Sequence, residues 1–310
     1  MEKPQSLIII GAGPAGLAAS IYASRYGVAH SVIGSILGGQ ISETHEIDNY
    51  PGIENMGGFE FSQKWGHHVE KYGIKIVPRM VKNIKKAEKS QIFEIELENG
   101  EIHKAQAVLL ATGTKRRQLN IPGEAEFRGK GVSYCATCDG FFYKGKTVGV
   151  IGGGDSAVGA ALYLANICEK VYIIYRRSEL RCEPYWAKIV KKTPNVEVVY
   201  ETNVLEILGG EKLEKVKLDK EYKNEKELKI DGLFIEAGSD PDVSYAKDLG
   251  IELDEGGYVK ITKSGATSVP GIWAAGDITD GSDKFRQVLT AASEGAIAAR
   301  GIFNFLKKSN

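Results

Sequence analysis

The chain has 310 residues, 43% of them apolar, with 40 basic side chains against 40 acidic ones. That length suggests two domains, each able to bury a core, and the balanced charge gives no electrostatic reason to expect nucleic acid or an anionic membrane as a partner. Four cysteines are too few for a disulfide-rich secreted scaffold, residues 1–6 are too polar for a signal peptide, and no apolar run approaches the roughly 18 residues of a spanning helix; a cytoplasmic protein is expected.

Leu7, Ile8, Ile9 and Ile10 form a short buried-strand pattern, and Gly11-Ala12-Gly13-Pro14-Ala15-Gly16 follows directly. Residues 17–26 then read as a helix, with apolar Leu17, Ala18, Ile21 and Tyr22. Strand, glycine turn and helix is the context that gives a G-x-G-x-x-G match its meaning. The glycines permit a tight turn and close backbone approach, so a pyrophosphate can rest on the helix N-terminus. About 20 residues on, where an acid usually reads the adenosine ribose, stand Ile33, Gly34 and Ser35. The ribose then falls to Ser35, to backbone, or to a later residue.

Residues 92–97 alternate in the manner of a half-buried strand in an antiparallel meander. Residues 108–113 form a buried strand ending in a glycine turn, and residues 114–131, rich in charge, Pro and Gly, read as a linker. Cys135-Ala136-Thr137-Cys138-Asp139 comes next. C-x-x-C serves either metal binding or dithiol–disulfide exchange. A closed zinc site needs four ligands, and Cys168 in a helical pattern, the isolated Cys182 and the adjacent His67 and His68 do not supply them. Redox chemistry is therefore preferred and no metal is expected. Asp139 is placed to act as a general acid beside the pair, or simply to form the turn before Gly140.

Residues 140–147 satisfy the Walker A pattern letter for letter. A phosphate-binding loop of that kind needs a strand before it and a helix after it. Here a strand pattern, residues 147–151, follows, and Phe141, Phe142 and Tyr143 would crowd a phosphate cradle. We reject the match. After that strand the first arrangement recurs: Gly152-Gly153-Gly154-Asp155-Ser156-Ala157 fits G-x-G-x-x-A, residues 158–165 are helical, and residues 171–175 form the next strand. Two such units imply two dinucleotides. At the ribose-reading position stand Arg176 and Arg177, with Arg181 close behind. A guanidinium fork suits a 2′-phosphate, so NADPH is preferred to NADH.

Residues 271–277 repeat strand-then-turn, and residues 291–305 form a helix with small residues on one face. Asp277 at that strand end is placed to accept from a ribityl hydroxyl, with Gln287 and backbone amides near a flavin ring; its alternative role is a turn residue. The fold expected is α/β, with two Rossmann-like dinucleotide-binding domains, each having a parallel sheet and a small antiparallel meander, the second inserted in the first. The expected boundaries are 1–117 and 244–310 for the first domain and 118–243 for the second.

The ordered set of motifs resembles the low-molecular-weight thioredoxin reductases over essentially the whole length. The matching residues are Gly11 to Gly16, Gly38-Gly39-Gln40, Asn49-Tyr50-Pro51-Gly52, Ala111-Thr112-Gly113, the Cys135–Asp139 motif, Gly152 to Asp155, Arg176-Arg177, Ala275-Gly276-Asp277 and Arg286-Gln287. The resemblance implies FAD held by the first glycine turn, the Gly38–Gln40 region, Asn49, Asp277 and the Arg286-Gln287 segment. It implies NADPH on the inserted domain, with Arg176, Arg177 and Arg181 near the 2′-phosphate. Cys135 and Cys138 would form the reducible disulfide, Asp139 the general acid, and thioredoxin the protein substrate of a cytosolic homodimer. The alternative is a related flavoprotein reductase with another donor or another small disulfide protein. Two departures stand out: Gly159 and Ala160 replace acids that relatives often carry near the nicotinamide, and Tyr175 replaces a frequent His. Hinging near residues 114–122 and 238–243 is expected, because the dithiol and nicotinamide sites share one domain and the flavin occupies the other.

Overall fold

The computed structural model describes residues 4–87 and 91–309. The chain divides into two compact units: residues 1–115 with 240–310, and residues 116–239.

The first unit begins with β1 (Gln5–Ile10), α1 (Pro14–Arg25) and β2 (His30–Ile33), followed by α2 (Gly58–Glu70), β3 (Ile76–Val77), β4 (Val81–Lys86), β5 (Phe93–Leu97) and β6 (Ile102–Leu110). The short strand β7 (Thr114–Arg116) leads out of it. β1 is buried because it is central: β2 pairs with it in parallel on one edge and β6 on the other. Its alternate side chains serve opposite faces of the sheet. Leu7 and Ile9 join a core with α1 and the C-terminal helix, while Ile8 and Ile10 join another with the meander residues Phe93 and Ile95. The strand expected at residues 108–113 starts earlier, at Ile102, since its first half pairs antiparallel with β5 and its second half parallel with β1. One strand thus belongs to both the meander and the parallel sheet.

The second unit contains β8 (Val132–Ser133), α3 (Ala136–Asp139), β9 (Thr147–Ile151), α4 (Asp155–Ala165), β10 (Lys170–Ile174), α5 (Pro184–Lys192) and β11 (Val196–Val199). Then come β12 (Val204–Gly209), β13 (Leu213–Tyr222), β14 (Glu225–Lys229) and β15 (Gly232–Ile235). Its parallel sheet has the order β11-β10-β9-β15-β8, and β12-β13-β14 form an antiparallel meander. Val148 and Val150 of β9 face α4, whereas Gly149 leaves room for Leu233, Ile230 and Ile174 on the other face. The Walker-like residues 140–147 form a single helical turn running into β9, with no helix after them.

The chain completes the first unit through β16 (Ser239–Pro241), α6 (Ser244–Asp248), β17 (Ile272–Ala274) and α7 (Val288–Ser309). β17 adds to β6 in parallel, Ile272 opposite Val108. The small residues Ala291, Ala298 and Ala299 let α7 pack closely on α1 and β1. That helix begins earlier and ends later than the expected 291–305.

Candidate functional site: two glycine turns and a dithiol

In the first unit each glycine of the turn has its own reason. Gly11 has φ of +113°, and a Cβ there would lie 2.0 Å from the Ala111 carbonyl oxygen. A Cβ on Gly16 would lie 1.9 Å from the Gly11 oxygen, so the third glycine lets α1 close onto β1. Gly13 differs, since a Cβ on it would meet only the Gly38 oxygen, at 3.8 Å. It is the helix cap and no side chain occupies the α1 N-terminus, so backbone N–H groups are left to face an anion.

Of the other sequence-predicted residues of this unit, Gly38, Gly39 and Ala111 lie against that turn, and the rest form pairs of their own. Gly38 donates from its N–H to the Ala12 carbonyl at 2.8 Å, and Gly39 lies beside Gly13. Gln40 donates to the Thr114 carbonyl at 2.5 Å and to its hydroxyl at 2.9 Å. Ala111 donates to Ile10 at 2.7 Å, and Thr112 donates its hydroxyl to the Asp242 carbonyl at 3.0 Å. Gly113 takes φ of +66° as the strand turns away. Asn49 donates to Gln287 at 3.0 Å, joining residues 238 apart in sequence. Ser35 is exposed just beyond β2.

Gly276 has φ of +82° and packs on Ala15 of α1, which brings Asp277 beside the same turn. The Asp277 carboxyl is largely enclosed, and among the described residues it has no hydrogen-bond partner. Burial raises it to about 6; the Arg286 guanidinium opposes that rise and Glu294 adds to it. Arg286 itself lies over the Tyr258 ring, 4.3 Å from its centre, with a buried and unpartnered Nε. An open glycine, an uncapped helix terminus and an unpaired carboxyl fit a dinucleotide whose sugar chain offers hydroxyls and whose phosphates need N–H donors.

The second turn repeats the first with one substitution. Gly152 has φ of +138° and approaches the Glu236 carbonyl, where a Cβ would lie 2.3 Å away; Ala157 takes the helix-packing position. Gly154 caps α4 without a side-chain partner. Tyr175 is buried with its ring against Gly153, and Arg181 donates from its backbone to the Gly153 carbonyl at 2.7 Å. Asp155 accepts from the Glu183 N–H at 2.8 Å, and Ser156 is exposed beside it. Arg176, Arg177 and Arg181 are all exposed and carry no ion pair among the described residues, so their guanidinium groups are available to a phosphate. Gly159 faces open space.

The dithiol is a disulfide between Cys135 and Cys138, spanned by the one-turn helix α3. Cys138 is exposed and Cys135 half-buried. The Cys135 Sγ accepts from the Cys138 N–H at 3.1 Å. Sequence reasoning missed what holds this segment. Ser133, buried at the end of β8, donates to Asp139 Oδ2 at 2.6 Å and accepts from the Cys135 N–H at 3.1 Å. Buried Glu124 accepts from the Leu119 and Ile121 N–H groups and from the Tyr134 hydroxyl at 2.6 Å, raising that phenol to about 12 together with its burial. Nothing in the sequence marks Glu124, one acid in a charge-rich segment read as linker. Directly after the dithiol, Phe141 and Phe142 are 70% and 73% exposed, while Tyr143 anchors the turn against Gly232 and Phe234. Two bare aromatic rings beside a disulfide make a surface suited to a protein rather than a small thiol. Burial raises the Cys168 thiol to about 11, in keeping with an inert packing role.

Two nucleotide turns and one accessible disulfide define an oxidoreductase that moves electrons between a pyridine nucleotide and sulfur. The chain belongs to the pyridine nucleotide-disulphide oxidoreductase family, which it matches over residues 5–295. Within that family it is similar to the thioredoxin reductase of Helicobacter pylori (strain J99 / ATCC 700824), 42% identical over 308 residues that cover 96% of this chain and 98% of that protein. Its fold is similar to the crystal structure of Lactococcus lactis thioredoxin reductase, with a TM-score of 0.92, 35% identity, and coverage of 98% of this chain and 99% of that one. The NADH dehydrogenase of Bacillus subtilis (strain 168) is 36% identical over 306 residues, 98% of this chain, which spans only 59% of that protein's length. The fold class is thus the expected one of two dinucleotide-binding domains. No helix among the described residues is long and apolar enough to cross a membrane.

Proposed function

We propose that the protein is an NADPH-dependent thioredoxin-disulfide reductase, carrying FAD on the first unit and the reducible Cys135–Cys138 pair on the second. The observation that carries this reading is the accessible disulfide on the same unit as a glycine turn flanked by three exposed arginines. FAD, when bound, supplies the two-electron chemistry that links a reduced nicotinamide to a disulfide. The α1 N-terminus and Gly13 would hold its pyrophosphate, Asp277 would accept from its sugar hydroxyls, and Asn49, Gln40, Arg286 and Gln287 would complete the site. Arg176, Arg177 and Arg181 bind the 2′-phosphate of NADPH, while Gly154 to Ala157 present the α4 N-terminus to its pyrophosphate.

Two electrons and two protons convert the Cys135–Cys138 disulfide to a dithiol. Exchange with a thioredoxin disulfide passes through a mixed disulfide, which the second thiol resolves. Asp139 exchanges the proton at the sulfurs, oriented by Ser133. Phe141 and Phe142 give the protein substrate its apolar footing. The enzyme acts in the cytoplasm, where Cys168 and Cys182 stay reduced, and as a homodimer, as the family resemblance implies. We place the inserted domain at residues 118–243, a few residues downstream at each end of the compact unit of residues 116–239.

Anaerobic turnover of thioredoxin with NADPH and, separately, with NADH tests the proposal. The account expects NADPH to be favoured in kcat/KM by at least about 100-fold, the scale of two charge-assisted contacts. Equal use of NADH would favour the second reading, a donor preference like that named for the Bacillus subtilis relative. Failure with both donors would refute the assignment.

A further inference from the structure

Glu294 lies outside every motif of the chain, yet its carboxylate accepts three hydrogen bonds from the loop that carries Asp277. It sits on α7, and its carboxylate reaches back to the loop that follows β17. Oε2 accepts from the Gly276 N–H at 2.9 Å and from the Thr279 hydroxyl at 2.8 Å. Oε1 accepts from the Ser282 hydroxyl at 2.6 Å. Gly281 passes so close that a Cβ on it would lie 2.6 Å from Oε1. One side chain therefore gathers residues 276, 279 and 282, with Asp277 inside the span it closes.

Two further features make that tether consequential. Ser282, Asp283 and Lys284 take φ of 51°, 51° and 56°, three successive non-glycine residues in the left-handed region, a conformation that persists only where the surroundings enforce it. This stretch leads straight to Arg286 and Gln287. The next residue of α7, Gly295, packs on α1 so tightly that a Cβ would lie 2.0 Å from the Ala15 carbonyl oxygen. Glu294 and Gly295 thus join the Asp277 loop to the first glycine turn.

We infer that Glu294 is a positioning residue for the FAD site, holding the loop of residues 276–282 in the conformation that presents Asp277 and leads on to Arg286 and Gln287. It touches neither substrate nor reacting atoms; it acts through the loop. The inference rests on the reading that the first unit carries FAD. Glu294→Ala removes all three acceptor contacts. Glu294→Gln keeps one carbonyl oxygen, and Thr279→Val with Ser282→Ala removes two donors while leaving Glu294 in place.

Two measurements on the full-length purified protein decide it. FAD dissociation, followed by flavin fluorescence, should weaken by about 10- to 100-fold in Glu294→Ala and in the double variant, and by less in Glu294→Gln, the range of one to two lost hydrogen bonds to a charged group. Amide exchange over residues 275–283 should accelerate at least about tenfold in the same variants, with α1 and β1 unchanged. Should Glu294→Ala not fold, the double variant carries both readouts. Unchanged FAD affinity, or unchanged exchange in that loop, overturns the tether. A wild-type protein that binds no FAD overturns the underlying reading instead, and the exchange measurement still decides the tether.

Discussion

The two glycine turns are built alike and finished differently. Gly11 and Gly152 both take positive φ against the carbonyl of a neighbouring strand end, and Gly13 and Gly154 both cap their helices without a side chain. The differences lie downstream. In the first unit β2 is followed by Gly34 and Ser35, and Asp277 stands enclosed and unpaired on a loop pinned by Glu294. In the second unit β10 is followed, after Tyr175, by exposed Arg176 and Arg177, and the acid at the neighbouring strand end, Glu236, is bound to Arg116 at 2.9 Å. An enclosed site with an open acceptor suits a resident cofactor. Exposed cations suit a ligand that arrives, is read by its phosphate, and leaves.

The largest effect is expected at the sulfur pair of the second unit. Cys138→Ser should lower thioredoxin turnover on the order of 1,000-fold or more, while flavin reduction by NADPH, read by absorbance, continues. Retained turnover would remove the dithiol from the reaction. Next in size is the pair Arg176→Ala with Arg177→Ala. It should raise the KM for NADPH on the order of 100-fold with kcat nearly unchanged and leave NADH use as it was; an equal loss with NADH would show that the arginines do not read the 2′-phosphate.

The first turn is sharpened by a smaller substitution. Gly13→Ala places a methyl where the ligand approaches and where no protein atom closer than 3.8 Å opposes it. FAD affinity should fall about tenfold while the melting temperature of the flavin-free protein stays within about 2 °C of the parent. Gly11→Ala is the contrasting case, because positive φ and the Ala111 carbonyl both forbid a Cβ and folding itself should suffer.

Asp277 gives the first unit a pH signature of its own. An unfolded Asp loses its proton near 3.9, whereas burial holds the folded carboxyl until about pH 6. Between those values the native state binds more protons than the unfolded one, so stability is lost as pH rises through that window and stays lost above it. In protein stripped of flavin, Asp277→Asn should therefore gain on the order of 2 kcal/mol at pH 7 and almost nothing below pH 4. The same gain at both pH values, by calorimetry, would show that the carboxyl is not enclosed.

Much of this was legible in the chain because its signals are local. Residues 7–16 and 147–157 each carry strand, turn and helix in one short stretch, and the glycines declare the turn. The spacing of Cys135 and Cys138 leaves metal binding and dithiol exchange both open, and the family resemblance points to the disulfide that the structure shows. What escaped is non-local. Glu294 in a helix of small residues looks like an ordinary solvated acid until the loop of residues 276–282 folds back on it. Ser133 is one hydroxyl six residues from Asp139, and only the turn of α3 brings them together. Ile102 as the start of β6 was hidden because one strand changes partners midway, so no single periodicity covers it.

The most direct test of the electron path is an anaerobic titration of the purified protein with NADPH, quenched with an alkylating reagent and mapped by mass. The account predicts that one equivalent per chain converts the Cys135–Cys138 disulfide to two alkylated thiols, with the flavin bleaching fully only on further addition. A bleached flavin beside an intact disulfide, or modification confined to Cys168 and Cys182, would contradict it.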